Sequence, residues 1–148
     1  MTRHELFLDD FRFEAGGRLD RVKVVYHTSR VRRGRVIWIC HALTANSDPQ
    51  DWWPEMVGPG RFFDTERDFI VCVNILASPY GSSGPASVNP DTGMPYCFDF
   101  PAVTVRDMVA TMDAVRRALG IDRIDLLVGS SIGGFQAVEW AVTEPDLF

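Results

Sequence analysis

The sequence predicts an α/β fold organised around a mostly parallel sheet. From residue 35 onward, strand-like and helix-like segments alternate, and this order is typical of parallel sheets covered by helices. Segments 35–41 and 69–75 are apolar and rich in β-branched residues, as expected of strands covered on both faces. A serine flanked by glycines then separates the last strand-like segment from a helix-like one.

Length and composition indicate one ordinary globular domain. The chain has 148 residues, of which 46% are apolar and 24% charged, and its net charge is −5. Its longest apolar runs, 36–40 and 69–73, are far shorter than the roughly 20 residues that cross a bilayer. The N-terminus lacks the basic start and apolar block of a signal peptide. We therefore expect a cytoplasmic protein without a membrane segment.

Charge and cysteine content argue against two further classes of protein. With 15 basic and 20 acidic side chains, the chain lacks the basic footprint of a nucleic-acid-binding protein. Its largest basic cluster, which we expect to be a solvated hairpin, consists of Arg30, Arg32, Arg33 and Arg35. Three widely spaced cysteines, two of them in apolar runs, favour free core thiols over disulfides. These are Cys40, Cys72 and Cys97.

The individual elements follow from local patterns along the chain. Alternating apolar residues predict strands over 6–13 and 22–26, joined by a turn at Gly16-Gly17. Five prolines and three glycines make 78–101 a long loop. Thr104 and Asp107 have the spacing of a capping box, and helical periodicity runs from there to Gly120. A short strand over 124–128 and a helix over 132–142 complete the chain.

The motif Gly129-Ser130-Ser131-Ile132-Gly133 lies between that last strand and helix, and it matches G-x-S-x-G. In a nucleophile elbow this pattern holds the serine in a strained turn, and the glycines leave room for the turn and the strand–helix crossing. Ser131 is therefore the candidate nucleophile. Ser130 precedes the turn, and we expect its side chain to point into the sheet. The alternative is a glycine-rich helix start with a capping serine.

Acyl transfer to a serine also needs two donors for the tetrahedral oxyanion. The elbow supplies the backbone N–H of Ile132, and the loop that follows the third strand supplies our second candidate, the N–H of Leu43. His41 begins that loop. We reject it as the general base, because in hydrolase folds with this turn the base follows the serine in sequence.

Several sequence blocks together resemble the homoserine O-acetyltransferase family of α/β-hydrolase-fold acyltransferases, from about residue 10 to the end of the chain. The blocks are His41-Ala-Leu-Thr44, Trp52-Trp53, Gly58-Pro-Gly60, Asn74-Ile-Leu76, Gly81-Ser-Ser-Gly-Pro85, Asn89-Pro90, the run from Asp99 to Met108, Gly133-Gly134 and Gln136-Ala-Val-Glu-Trp140. Two departures occur: Ser130-Ser-Ile-Gly-Gly-Phe135 stands where the family usually has Gly-Ser-Met-Gly-Gly-Met, and Ala77-Ser78 where it usually has Gly-Gly.

This resemblance implies a ping-pong reaction in which the serine takes an acetyl group from acetyl-CoA and passes it to homoserine. Acetyl-CoA is then a co-substrate, and we expect no bound cofactor and no metal. Thr44 is a candidate substrate contact. Segment 78–101 and Trp52-Trp53 would wall the site from water, although plain packing of the tryptophans is equally open. Arg61 and Arg106 could contact CoA phosphates, but solvated or capping roles are favoured.

Family members continue beyond the position of Phe148, and the resemblance places the triad Asp and His and a helical, dimer-forming lid there. We therefore expect residues 1–148 to be the N-terminal part of a single domain, whose complete form is a homodimer acting on small molecules. Alone, the chain should be inactive and marginally folded, since one face of its last strand and helix lacks apolar cover. The residues that we expect to be uncovered are Leu126, Val128, Ala137, Trp140 and Ala141.

Three alternatives remain open at this point. One is a homoserine or serine O-succinyltransferase, since the acyl-selective residues of the family lie mainly beyond Phe148. A serine ester hydrolase would use the same turn and loop. The third is a non-catalytic interaction domain that keeps the fold.

Overall fold

The computed structural model describes all 148 residues, arranged as a five-stranded sheet with helices. The strands are β1 (Thr2–Arg12), β2 (Arg18–Thr28), β3 (Val36–Cys40), β4 (Val57–Gly58), β5 (Phe63–Asp64), β6 (Phe69–Val73) and β7 (Leu126–Gly129). The α-helices are α1 (Pro49–Trp52), α2 (Val105–Ala118) and α3 (Ile132–Thr143). Two short 3₁₀ helices lie at Cys97–Asp99 and Pro145–Leu147.

The sheet has the strand order β1-β2-β6-β3-β7, which makes β3 an interior strand with parallel neighbours on both sides. The pairs β1–β2 and β2–β6 are antiparallel, so the sheet is mixed. In the β3–β7 ladder Cys40 lies opposite Gly129. The loop that follows β3 and the turn that follows β7 therefore lie side by side at the carboxyl ends of these parallel strands.

Apolar side chains cover both faces of β3, as its sequence predicts. Trp38 belongs to the larger core cluster, to which α2 and α3 contribute Val109, Met112 and Trp140. Ile37 and Ile39 point to the other face and pack in a smaller cluster with Val57 and Phe63, the small β4–β5 pair. The two-residue alternation of a strand therefore divides β3 between two apolar layers.

Helix α2 begins with the capping box that its sequence predicts. The Asp107 carboxylate accepts from the Thr104 N–H at 2.8 Å, and the Thr104 hydroxyl accepts from the Asp107 N–H at 3.3 Å. The other Asp107 oxygen accepts from the Glu14 N–H at 2.9 Å, which joins α2 to the β1–β2 turn. Helix α2 ends beside Gly120, whose φ of +67° glycine adopts without strain.

The arginine cluster does not form a hairpin. Strand β2 pairs with β6 and not with β3, so residues 29–35 cross from one side of β6 to the other. Three of the four arginine side chains make no ion pair, but Arg35 donates to the buried Asp68 carboxylate at 3.1 and 2.8 Å. Hydrophobic pattern alone predicts strands, and it does not say which strands are neighbours.

The prediction of the uncovered helix face was partly wrong. Strand β7 does lie at the edge of the sheet, but Trp140 is fully buried and packs edge-on against Trp38, with 5.0 Å between ring centroids. Ala141 is exposed as expected, and the exposed face of α3 also presents Phe135, Val138 and Val142, which are 65–73% exposed. These last three residues lie on the side of the helix opposite Trp140.

All three cysteines are free, and Cys40 and Cys72 are buried as predicted, whereas Cys97 is exposed. No helix has both the length and the apolar character needed to cross a membrane.

Candidate active site

Ser131 occupies a strained turn between β7 and α3. Its backbone has φ +56° and ψ −125°, a positive-φ conformation outside the left-handed helical region, and such a sparsely populated conformation costs a residue with a side chain about 1–3 kcal/mol. The residue is exposed, and its side chain makes no capping hydrogen bond to α3. A simple capping serine is therefore excluded, because the hydroxyl performs no capping.

Two glycines of the motif allow this turn to pack closely against the ends of the strands. A Cβ atom on Gly129 would lie 2.2 Å from the carbonyl oxygen of Gly133, and one on Gly133 would lie 2.1 Å from that of Cys40. No side chain fits at either position. The beginning of α3 is thus pressed against the ends of β7 and β3, which explains the glycine at each end of the motif.

Helix α3 begins beside Ser131, and of its first three N–H groups only that of Ile132 has no acceptor. The N–H groups of Gly133 and Gly134 each donate at 2.9 Å, to the carbonyls of Ser130 and Ser131 respectively. Ile132 precedes them as the first helical residue, where an N–H has no partner within the helix. The positive end of the helix dipole also favours negative charge at this position.

Ser130 is exposed, although we expected its side chain to point into the sheet. Strand β7 lies at the edge of the sheet, so no neighbouring strand covers the turn. The Ser130 N–H donates to the Cys40 carbonyl at 3.4 Å, which ties the serine turn to the loop after β3.

The loop after β3 carries the second predicted donor. Leu43 is 57% exposed, and its N–H donates to no acceptor within the chain. Thr44 is exposed as well, and its carbonyl accepts from the Tyr80 hydroxyl at 2.8 Å. The structure therefore brings the predicted loop to the same sheet edge as Ser131, with the Leu43 N–H unpaired.

His41 is fully buried, and both of its ring nitrogens are engaged by the backbone. Nδ1 lies 2.7 Å from the Ala42 carbonyl oxygen, and Nε2 accepts from the Ile75 N–H at 3.2 Å. Burial also lowers the pKa of the ring. No ring nitrogen is free to take a proton from a serine hydroxyl, which agrees with the rejection of His41 as a base.

Sequence reasoning missed the ties between the loops after β3 and β6. The buried Asn74 side chain accepts from the Ser47 N–H at 2.7 Å and donates to the Tyr80 carbonyl at 2.8 Å. In the sequence, Asn74 stands out only as part of the block Asn74-Ile-Leu76. A polar residue that directly follows a continuously apolar strand is the signal that could have marked it.

The remaining candidate residues take part in packing contacts, hydrogen bonds or ion pairs. Trp52 and Trp53 stack at 5.7 Å, and the Trp52 indole donates to the Asn46 carbonyl at 2.9 Å. Arg106 donates to Glu14 and Glu139 at 2.8 Å each. Arg61 lies 3.8 Å from Glu55. No group of three or more His, Cys, Asp or Glu side chains is placed to hold a metal ion.

Comparisons with known proteins identify the fold family of the chain. A model of the alpha/beta hydrolase fold matches residues 35–148. The chain is 49% identical over 142 residues to a homoserine O-acetyltransferase of Chlorobaculum tepidum and 46% identical over 149 residues to one of Chlorobium luteolum. It covers 94% and 99% of its own length in these matches, but only 40% and 42% of the relatives.

Solved structures give the same result. A crystal structure of homoserine O-acetyltransferase from Bacillus anthracis matches 99% of the chain with a TM-score of 0.88 and 30% identity, over 44% of that protein. A crystal structure of an esterase matches 99% with a TM-score of 0.87 and 32% identity, over 45% of that protein. The chain spans about two-fifths of the length of the curated relatives it matches. The predicted fold and the resemblance to homoserine O-acetyltransferases are confirmed, and the chain belongs to the α/β-hydrolase fold family.

Proposed function

We propose that Ser131 is the covalent nucleophile of an acyltransferase that moves an acetyl group from acetyl-CoA to the hydroxyl of L-homoserine. The observation that carries this proposal is the strained, uncapped backbone of Ser131 at the edge of the sheet. The choice of reaction comes from relatives named homoserine O-acetyltransferase at 41–49% identity. The geometry thus supports the nucleophile, and the relatives support the substrates.

The first half-reaction acylates the serine. Ser131 Oγ forms a bond to the acetyl carbonyl carbon, the C–S bond of the thioester breaks, and the serine proton passes through a base to the departing CoA sulfur. The N–H groups of Leu43 and Ile132 would donate to the oxyanion of the tetrahedral intermediate. In the second half-reaction the homoserine hydroxyl oxygen forms a bond to the acetyl carbon, the ester bond between that carbon and Ser131 Oγ breaks, and the proton of the homoserine hydroxyl passes through the base to Ser131 Oγ.

The base for both steps is not among the residues at this sheet edge. His41 is engaged on both nitrogens, His27 bonds to Ser47 at 2.7 Å and His4 to Thr28 at 3.0 Å. The family resemblance assigns the base to a histidine, held by an aspartate, outside residues 1–148. Without it, Ser131 would attack slowly, since losing triad partners costs on the order of 10⁴ in rate.

Intact mass spectrometry after incubation with acetyl-CoA tests the nucleophile. The protein at the full length that its gene encodes should gain the mass of one acetyl group, and Ser131→Ala should abolish that gain. Ser130→Ala is the matched control, because it removes the neighbouring exposed hydroxyl and should keep the label. Acetylation of Ser131→Ala at the same stoichiometry would contradict the assignment.

A serine ester hydrolase is the second candidate. It is favoured by the esterase structure, which matches this chain as closely as the acetyltransferase structure does. The two differ in what attacks the acyl-enzyme, so release of acetate should be compared with formation of O-acetylhomoserine at increasing homoserine concentration. Product that stays acetate throughout would favour the hydrolase. A protein that resists fluorophosphonate labelling at Ser131 would instead indicate a non-catalytic domain.

The finer substrate choice and the setting of the enzyme belong to the same proposal. Succinyl-CoA as donor or serine as acceptor is the runner-up, and rates with the four donor and acceptor pairs would decide it. A preference for succinyl-CoA above about tenfold, a difference of 1.4 kcal/mol in transition-state binding, would overturn acetyl-CoA. Thr44 is proposed as a substrate contact, and the whole protein as a cytoplasmic homodimer that requires no bound cofactor.

A further inference from the structure

The peptide that joins Ala42 to Leu43 is held by two hydrogen bonds on its carbonyl. His41 Nδ1 lies 2.7 Å from the Ala42 oxygen, and the Ala45 N–H donates to the same oxygen at 3.0 Å. A carbonyl oxygen only accepts, so the short contact requires that Nδ1 carry a proton. The carbonyl of this peptide therefore has a fixed direction.

The other ring nitrogen of His41 fixes the tautomer. Nε2 accepts from the Ile75 N–H at 3.2 Å, and a backbone N–H can only donate. Nε2 therefore carries no proton, which leaves the neutral Nδ1–H form as the one that satisfies both contacts. The ring is fully buried, and burial lowers its pKa, in agreement with a neutral imidazole.

The direction of the carbonyl determines the direction of the Leu43 N–H. The chain contains no cis peptide bond, and in a planar trans peptide the N–H and the C=O point opposite ways. The Leu43 N–H is thus turned away from His41, and it has no acceptor within the chain. A buried ring that touches no reacting atom sets the orientation of an unpaired donor.

Tyr80 supports the other end of the same short loop. Its hydroxyl donates to the Thr44 carbonyl at 2.8 Å, and its own carbonyl accepts from the Asn74 side chain at 2.8 Å. Leu43 therefore lies between two carbonyls, those of Ala42 and Thr44, that are each held by a side chain. Tyr80 is 40% exposed, so its hydroxyl can be removed without opening the core.

We propose that His41 is a positioning residue that aims the Leu43 N–H at the reacting oxygen, with Tyr80 as the second support of the loop. This proposal rests on the proposed function, since it assigns a purpose to Leu43 as an oxyanion donor. It adds that the direction of this donor depends on the tautomer of a residue outside the reacting groups.

Two substitutions at His41 separate orientation from packing. His41→Asn keeps an N–H donor near the place of Nδ1 and loses the acceptor for Ile75, whereas His41→Gln extends toward Ile75 and loses the donor to Ala42. Removal of one oxyanion donor lowers kcat by about 10²–10³-fold. We therefore expect His41→Gln to lose about 10- to 100-fold in kcat with KM within about twofold, a partial loss of that donor. His41→Asn should keep most of the rate, and Tyr80→Phe should lose about two- to tenfold, as for one neutral hydrogen bond.

The readouts are kcat and KM for acetyl transfer, the rate of acetyl-enzyme formation from acetyl-CoA, and the tautomer of His41 by ¹⁵N NMR, all in the protein at its full encoded length. Equal rates in His41→Gln and the unsubstituted protein, or equal losses in both His41 variants when Tyr80→Phe is unaffected, would overturn the proposal. An Nε2–H tautomer would overturn it independently of any activity. Failure of the unsubstituted protein to acetylate would instead refute the proposed function, while the tautomer still decides whether the carbonyl is held by His41.

Discussion

Replacement of Gly133 by alanine tests the close approach of α3 to β3. The new Cβ atom would lie 2.1 Å from the Cys40 oxygen, 2.7 Å from the Cys40 carbonyl carbon and 2.8 Å from the His41 oxygen. All three atoms belong to the backbone, so no side chain can rotate away. Overpacking of this kind costs about 1–3 kcal/mol, and rigid backbone partners place the expected cost at the upper end.

Gly134→Ala is the matched control. Its Cβ would meet nothing closer than the Gly129 oxygen at 3.8 Å, an ordinary contact distance. Both substitutions place alanine in the first turn of the same helix, where alanine is favoured over glycine by up to about 1 kcal/mol. That gain largely cancels when the two variants are compared. Gly133→Ala should therefore be less stable than Gly134→Ala by about 3 kcal/mol, the cost of overpacking.

Urea unfolding of the two variants, followed by circular dichroism, measures this difference in the free energy of unfolding. The initial rate of acetyl-enzyme formation is measured alongside it, because displaced α3 would carry Ser131 away from the loop after β3. We expect Gly134→Ala to match or exceed the stability of the unsubstituted protein and to keep its rate. Equal unfolding midpoints for the two variants would refute the reasoning.

Three further predictions concern strain, titration and thiol access. Ser131→Gly should raise the free energy of unfolding by about 1 kcal/mol, since glycine adopts φ +56° without strain, and should abolish acylation; a fall in stability would contradict this. Burial lowers the pKa of His41, so the stability that depends on its neutral form is complete above its ordinary pKa of about 6.5 and is lost as the pH falls through the folded value. As the pH is lowered from 7.5 to about 4.5, the urea unfolding midpoint should fall less steeply for His41→Asn than for the unsubstituted protein. Parallel curves for the two proteins would contradict the role given to His41 titration. When the native protein is treated with the thiol reagent DTNB, residues 1–148 should contribute one equivalent of thionitrobenzoate, from the exposed Cys97. The two buried cysteines should not react, because burial raises the pKa of Cys40 to about 12 and raises the pKa of Cys72 as well.

Local sequence pattern was sufficient to predict the elements that are determined by residues close together in the sequence. The apolar runs that became β3 and β6 indicate burial on both faces, and the Thr104–Asp107 spacing marks the start of α2. The strained turn at Ser131 was predictable for the same reason. Its glycine neighbours stand at fixed offsets, and the need for them arises within one turn of chain.

Long-range contacts account for what the sequence could not predict. The tie between Tyr80 and Thr44 joins residues 36 positions apart, and the Arg35–Asp68 pair joins residues 33 apart. Neither spacing follows from a helical or strand period. The burial of Trp140 depended likewise on which side of α3 faces the sheet, and periodicity alone describes a face without saying what covers it.

Ala77 shows how the loop that carries Tyr80 keeps its path despite a strained backbone. Its φ is +71°, a conformation suited to glycine, so the alanine is strained. The Ala77 N–H donates to the Ser83 carbonyl at 2.8 Å, and a Cβ on Gly84 would lie 2.9 Å from Ala77 Cα. Because the atoms in contact belong to the backbone, no side-chain rotation can relieve the strain at Ala77. The alanine therefore costs stability while the loop still presents the Tyr80 hydroxyl to Thr44, just as the strained Ser131 is held by the close approach of Gly133 to β3.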